Sequence, residues 1–107
     1  MAATPDQMGA LLSMLESNLE LILDYLDSDA KTEKENQLKV YINTAISFIT
    51  TEGIELGLND DADRMLVVMY AEWLYDKRKD PVAEMPRMLR YSLNNRLFSQ
   101  KMREDFI

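Results

Sequence analysis

Between Met65 and Tyr75 the chain reads Met-Leu-Val-Val-Met-Tyr-Ala-Glu-Trp-Leu-Tyr, with Glu72 as the only charge. A helix of this composition has no polar face and must be covered on several sides. The segment is therefore expected to be the central helix of its domain, or to lie partly in a subunit interface. Asn59, Asp60, Asp61 and Asp63 precede it, and Lys77, Arg78 and Lys79 follow it. Acids at the start and bases at the end complement a helix dipole, and Asp60 or Asp61 is expected to cap the first turn. The same acids do not form a calcium loop: their spacing is not that of an EF-hand, and no bidentate Glu or turn glycine follows at the required distance. No metal site is expected.

Other helices are predicted on both sides of this one. The first spans about 5–27. Thr4, Pro5 and Gln7 form a capping box with proline at the first helical position, and Met8, Leu11, Leu12, Leu15, Leu19, Ile22, Leu23 and Leu26 recur at helical spacing. Glu16, Glu20, Asp24 and Asp27 run down the opposite side, as a solvated face or one turned to a basic partner. Met14, Leu21 and Tyr25 add an apolar flank beyond what one neighbour requires. Ser28 to Lys31 reads as a turn, and Thr32 with Glu35 as a second capping box opening a helix over 32–51. That helix carries Leu38, Tyr41, Ile42, Ala45, Ile46, Phe48 and Ile49 on one face, with Gly53 as its stop.

Residues 54–61 are expected to form a loop that delivers Ile54, Leu56 and Leu58 to the core. The central helix occupies about 60–78, and Pro86 opens a last helix over 86–103. Leu89, Leu93 and Leu97 mark one side of it, while Met88, Tyr91, Phe98 and Met102 mark another. Two apolar stripes on one short helix imply two neighbours. Asn94-Asn95 is an expected weak point, with 96–107 as an extended tail that orders on a partner or as a frayed terminus with little order. Removing everything after Asn95 should then leave a folded subunit that no longer joins its partner. The fold class is all-α: a single small bundle of about four helices with a C-terminal helix or tail, one domain over 1–107.

Composition narrows the chemistry. Cysteine is absent, which excludes disulfides and thiolate catalysis and suits a reducing cytoplasm. Histidine is absent too, removing the usual general base and the commonest metal ligand. Ser13, Ser92 and Ser99 have no Ser-x-x-Lys partner to activate them. The chain is thus expected not to be an enzyme and to need no cofactor. No run approaches the ~18 apolar residues of a membrane span, and the start of the chain lacks the basic region of a signal peptide. Charge is divided unevenly. Residues 1–63 hold thirteen acids and three bases, whereas residues 64–107 hold nine bases and six acids. The halves either complement each other within one subunit or suit head-to-tail contact between copies.

The leading helix, the helix ending in Thr51-Glu52-Gly53 and the acidic turn after it resemble the small helical head–tail connector proteins of long-tailed bacteriophages. Similarity is strongest in Ala71-Glu72-Trp73-Leu74-Tyr75-Asp76-Lys77-Arg78, like that family's aromatic helix ending in Tyr-x-x-Arg. It continues in the proline-started closing segment from Met85-Pro86-Arg87 to Arg96-Leu97-Phe98. The resemblance extends over about residues 8–103. It implies a structural protein of the virion neck, assembled in the host cytoplasm. Such a protein forms a closed homo-oligomeric ring between the portal protein and the next neck or tail component. DNA would pass through the channel without specific binding. On that basis Met14, Leu21, Tyr25, Tyr70 and Trp73 are candidates for the subunit interface. Glu16, Glu20, Asp24 and Asp27 would face the channel or a partner. Arg87, Arg90, Arg96, Phe98, Lys101, Met102 and Arg103 would dock onto the portal or a tail-side protein. A competing reading is a small helical regulatory or DNA-binding module with Arg87–Arg103 as recognition helix. Helix-turn-helix units use a turn of ~3–4 residues, whereas Asp80 to Met85 intervenes here and the rest of the chain is acidic.

Overall fold

Four helices appear where the apolar periodicity is strongest, and the computed structural model describes them within residues 2–105. They are α1 (Pro5–Asn18), α2 (Ser28–Thr51), α3 (Asp61–Lys77) and α4 (Arg87–Asp105), and the fold is an all-α bundle. No helix among the described residues is long and apolar enough to cross a membrane.

The local signals explain most of the helix ends. The Thr4 N–H donates to Gln7 Oε1 at 2.9 Å while the Gln7 N–H donates to Thr4 Oγ1 at 3.2 Å, which closes the capping box of α1. Asp60 caps α3 by accepting from the Ala62 N–H at 3.0 Å. Gly53, at φ 97°, follows the end of α2 in the left-handed conformation that glycine adopts without steric cost.

The α1–α2 junction departs from the periodicity. Helix α1 stops at Asn18 instead of continuing to Asp27, although Leu19, Ile22, Leu23 and Leu26 keep helical spacing. Leu21 N–H reaches back to the Glu16 carbonyl at 3.0 Å and Glu20 N–H to that of Ser17 at 3.1 Å. This is a Schellman closure with Glu20, at φ 57°, in the position that glycine usually fills. The turn brings Leu19 and Leu21 against the core together and buries Leu23, whereas one straight helix would have turned Leu21 away from the side of Leu19 and Leu23. It also frees Asp27 to cap α2 by accepting from Ala30 N–H at 2.8 Å. Helix α2 therefore starts at Ser28, four residues before the expected Thr32, because the Asp-Ser-Asp sequence supplies a cap and an acidic first turn.

Helix α3 packs against all three others and occupies the centre of the bundle. Leu66, Val67, Val68 and Ala71 face inward to Leu38, Ile42, Ala45, Ile46 and Ile49 of α2 and to Leu11 and Leu15 of α1, in one continuous core. Ile54, Leu56 and Leu58 close that core from the α2–α3 loop as alternate residues, with Glu55, Gly57 and Asn59 outside. The Tyr-x-x-Arg pattern ends α3: Arg78 Nη1 donates to the Tyr75 carbonyl at 2.7 Å, and its guanidinium lies 3.6 Å from the centre of the Tyr75 ring. On the other side Tyr75 accepts a hydrogen bond from Lys34 Nζ at 2.8 Å. The aromatic signature thus joins α3 to α2 as a packing device.

Helix α4 runs unbroken through Asn94-Asn95 to Asp105, so residues 96–105 are helical and not an extended tail; residues 106–107 lie outside the described residues. Leu89 and Leu93 are buried and Leu97 packs on the core beside them. The molecule measures 53 × 33 × 19 Å, a flattened bundle.

Candidate functional site

Helix α4 has two faces of opposite character. The inner face carries Leu89, Leu93, Arg96 and Gln100 toward the α2–α3 loop. Arg96 Nε donates to Asp63 Oδ1 at 2.7 Å, and Arg96 Nη2 to Asp63 Oδ2 at 3.1 Å and to the Glu55 carbonyl at 2.7 Å. Gln100 accepts from the Glu55 N–H at 2.8 Å and donates to the Gly53 carbonyl at 2.9 Å. Asp63 also accepts from the Gly57 N–H at 2.8 Å. Two side chains of α4 and one of α3 therefore satisfy the backbone of a loop that has no regular structure of its own. Asp63 is buried at 2% exposure. Burial alone pushes its carboxyl upward, but Arg96 and the Gly57 N–H outweigh this and hold it below its ordinary value. Nearer the start of α4, Arg90 pairs with Glu52 at 2.7 Å and ties α4 to the end of α2.

The outer face is apolar and uncovered. Met88, Tyr91, Phe98 and Met102 are between 42% and 68% exposed. At 100° per residue these four fall within an arc of about 80°, roughly opposite the arc of Leu89, Leu93 and Gln100. The two stripes foreseen on this helix are both present, one buried at Leu89 and Leu93 and the other largely exposed. Arg87 and Lys101, both exposed, flank the open stripe. Helix α4 carries no acid before Glu104.

A second uncovered region lies in the connection 19–27. Ile22 is 69% exposed and Tyr25 79%. Exposed Glu20, Asp24 and Asp27 surround them in sequence. The four acids expected to form one helical stripe do not do so, because α1 ends at Asn18. Only Glu16 is on α1; Glu20 occupies the left-handed turn, Asp24 lies 3.3 Å from Lys31 Nζ, and Asp27 is the cap of α2.

The remaining expected site residues divide by burial. Tyr70 is buried, with its ring 5.6 Å from that of Trp73 and 6.0 Å from that of Phe48, and so is closed to a second subunit by the central position of α3. Met14 and Leu21 are half-buried against the subunit's own core. Trp73 is half-buried beneath Lys77, whose Nζ lies 4.9 Å from the indole, and its buried Nε1–H has no acceptor among the described residues. Of the basic residues, Arg96 is committed to Asp63 and Arg90 to Glu52, whereas Arg87, Lys101 and Arg103 are exposed. Sequence reasoning missed the Asp63–Arg96–Gln100 clasp. Its one visible trace was an acid and an arginine placed among apolar positions of their helices.

Comparison with family models, with characterised proteins and with solved structures finds no match. Resemblance in sequence and the geometry above are the grounds for a functional reading.

Proposed function

We propose that this chain is a structural subunit of a phage neck, which assembles with copies of itself into a ring joining the portal to the tail and continuing the DNA channel. The observation that carries this reading is the pair of opposed apolar faces on α4. The inner one completes the fold, so the outer one is surplus to it. Burying one large apolar side chain contributes about 1.5–3 kcal/mol, and four exposed large apolar side chains on one helix face, around Asn95, suit an interaction surface. Mechanism here is association, with no bond made or broken. The resemblance in residues 71–98 supplies the class of assembly, and the excess of acids in residues 1–63 suits a channel through which phosphates pass without sticking.

The DNA-binding alternative loses ground on the same geometry. Arg90 and Arg96 are engaged by Glu52 and Asp63, so the helix offers fewer free bases than its sequence suggests. The segment between α3 and α4 is also longer than a helix-turn-helix turn.

The reading is tested by mixing the purified chain with the portal protein encoded in the same genome and imaging the product by electron microscopy. An added ring of density on the tail-facing end of the portal is expected. Portals that keep their original outline at saturating chain would overturn the proposal.

A further inference from the structure

Resting on the ring reading, we infer which two surfaces meet: the 19–27 connection of one copy, led by Ile22 and Tyr25, seats on the outer face of α4 of the next copy, between Tyr91 and Met102. Both surfaces are apolar and exposed in the subunit, so neither covers the other within one chain. Their charges are opposite. The connection presents Glu20, and Asp24 shared with Lys31 but still open to solvent, beside its apolar pair, and the α4 face presents Arg87 and Lys101 beside its row.

Charge also decides against the simpler symmetric contacts. Two α4 faces brought together would set Arg87 and Lys101 against their own copies, and two connections would set Glu20 against Glu20, whereas Asp24 is already shared with Lys31. Pairing unlike surfaces places each acid near a base while burying apolar area on both sides. Such a contact is heterologous: every copy uses one surface on each side, and the arrangement closes into a ring when the rotation per copy divides a full turn. The tight Schellman turn at Glu20 gives the connection a defined shape. The Asp63–Arg96–Gln100 clasp fixes the helix that receives it.

The absence of native cysteine makes the contact directly testable. Tyr25→Cys and Phe98→Cys chains are prepared separately, mixed, and oxidised with a copper–phenanthroline complex, both sites being exposed and outside the core. A mixed dimer well in excess of either homodimer is expected, with a ladder of higher species when one chain carries both substitutions. Lys101→Glu should lower the mixed product several-fold, and adding Asp24→Lys to the other chain should restore part of it. Equal yields of mixed dimer and homodimers, or no mixed dimer, would overturn the pairing. Rings seen on the portal without this cross-link would refute the pairing and leave the ring standing. The cross-link without rings would do the reverse.

Discussion

At the scale of single residues, Glu20 is where the chain spends conformational energy. A non-glycine residue in the left-handed region costs about 1 kcal/mol relative to glycine, and here the turn it permits brings Leu19, Leu21 and Leu23 to the core. Glu20→Gly is expected to stabilise the subunit by about 0.5–1 kcal/mol, read as a higher urea midpoint at unchanged slope. A lower midpoint would show that the Glu20 side chain holds the turn by contacts of its own. The residue also explains where sequence reasoning stopped short. Thr4 with Gln7, Asp60 and Gly53 act on neighbours within a few positions, so their roles were legible. Nothing local distinguishes Glu20 from a residue in mid-helix, because the reason for the turn is burial of leucines against helices that lie far away in sequence.

At the scale of elements, α4 is held to the bundle by two forces of different range. Leu89 and Leu93 bury against the core, a role readable from their spacing, while Arg96 and Gln100 fasten the α2–α3 loop across 41 to 47 positions of sequence. That second role left only a weak trace in the sequence, since a mid-helix arginine among apolar positions reads equally as a solvent-facing base. The expectation that residues after Asn95 are dispensable for folding is accordingly reversed. Truncation there would strand the buried Asp63 carboxylate and the loop groups of Gly53 and Glu55. Arg96→Ala alone is expected to destabilise by about 3 kcal/mol, the cost of leaving one partner of a largely buried pair unmatched, and truncation by more. Chemical denaturation of the two variants measures this. Wild-type midpoints in both would mean that the clasp contributes nothing to the fold.

Considered as a whole molecule, the chain is a thin, acidic bundle whose stability should respond to pH in two opposed ways. Glu16 and Glu72 are raised from 4.5, first by burial and then by the neighbouring acids Glu35 and Asp76. Ionising them costs more in the folded chain than in the unfolded one. Lowering pH from neutrality through their folded values therefore relieves a penalty, and the gain is complete below 4.5. Asp63 has the reverse sign: its folded pKa lies below 3.8, so its contribution is present above 3.8 and is lost as pH falls through the depressed value. Thermal melts across this range are expected to show stability rising from pH 7 toward the mid-fours and dropping below 3.8. A monotonic decline from pH 7 would contradict the burial of Glu16 and Glu72. The flattened shape, at 53 × 33 × 19 Å, leaves much of each helix at the surface, and on α4 that surface includes Met88, Tyr91, Phe98 and Met102.

The central claim, that this outer face exists to be covered by another protein surface of the same assembly, is tested most directly by sedimentation velocity over a concentration series. The wild-type chain is compared with the double variant Tyr91→Asp, Phe98→Asp. The wild type is expected to shift to larger species as concentration rises, while the variant stays a monomer with an unchanged melting temperature, since neither side chain belongs to the core. Identical concentration dependence in the two proteins would contradict the account.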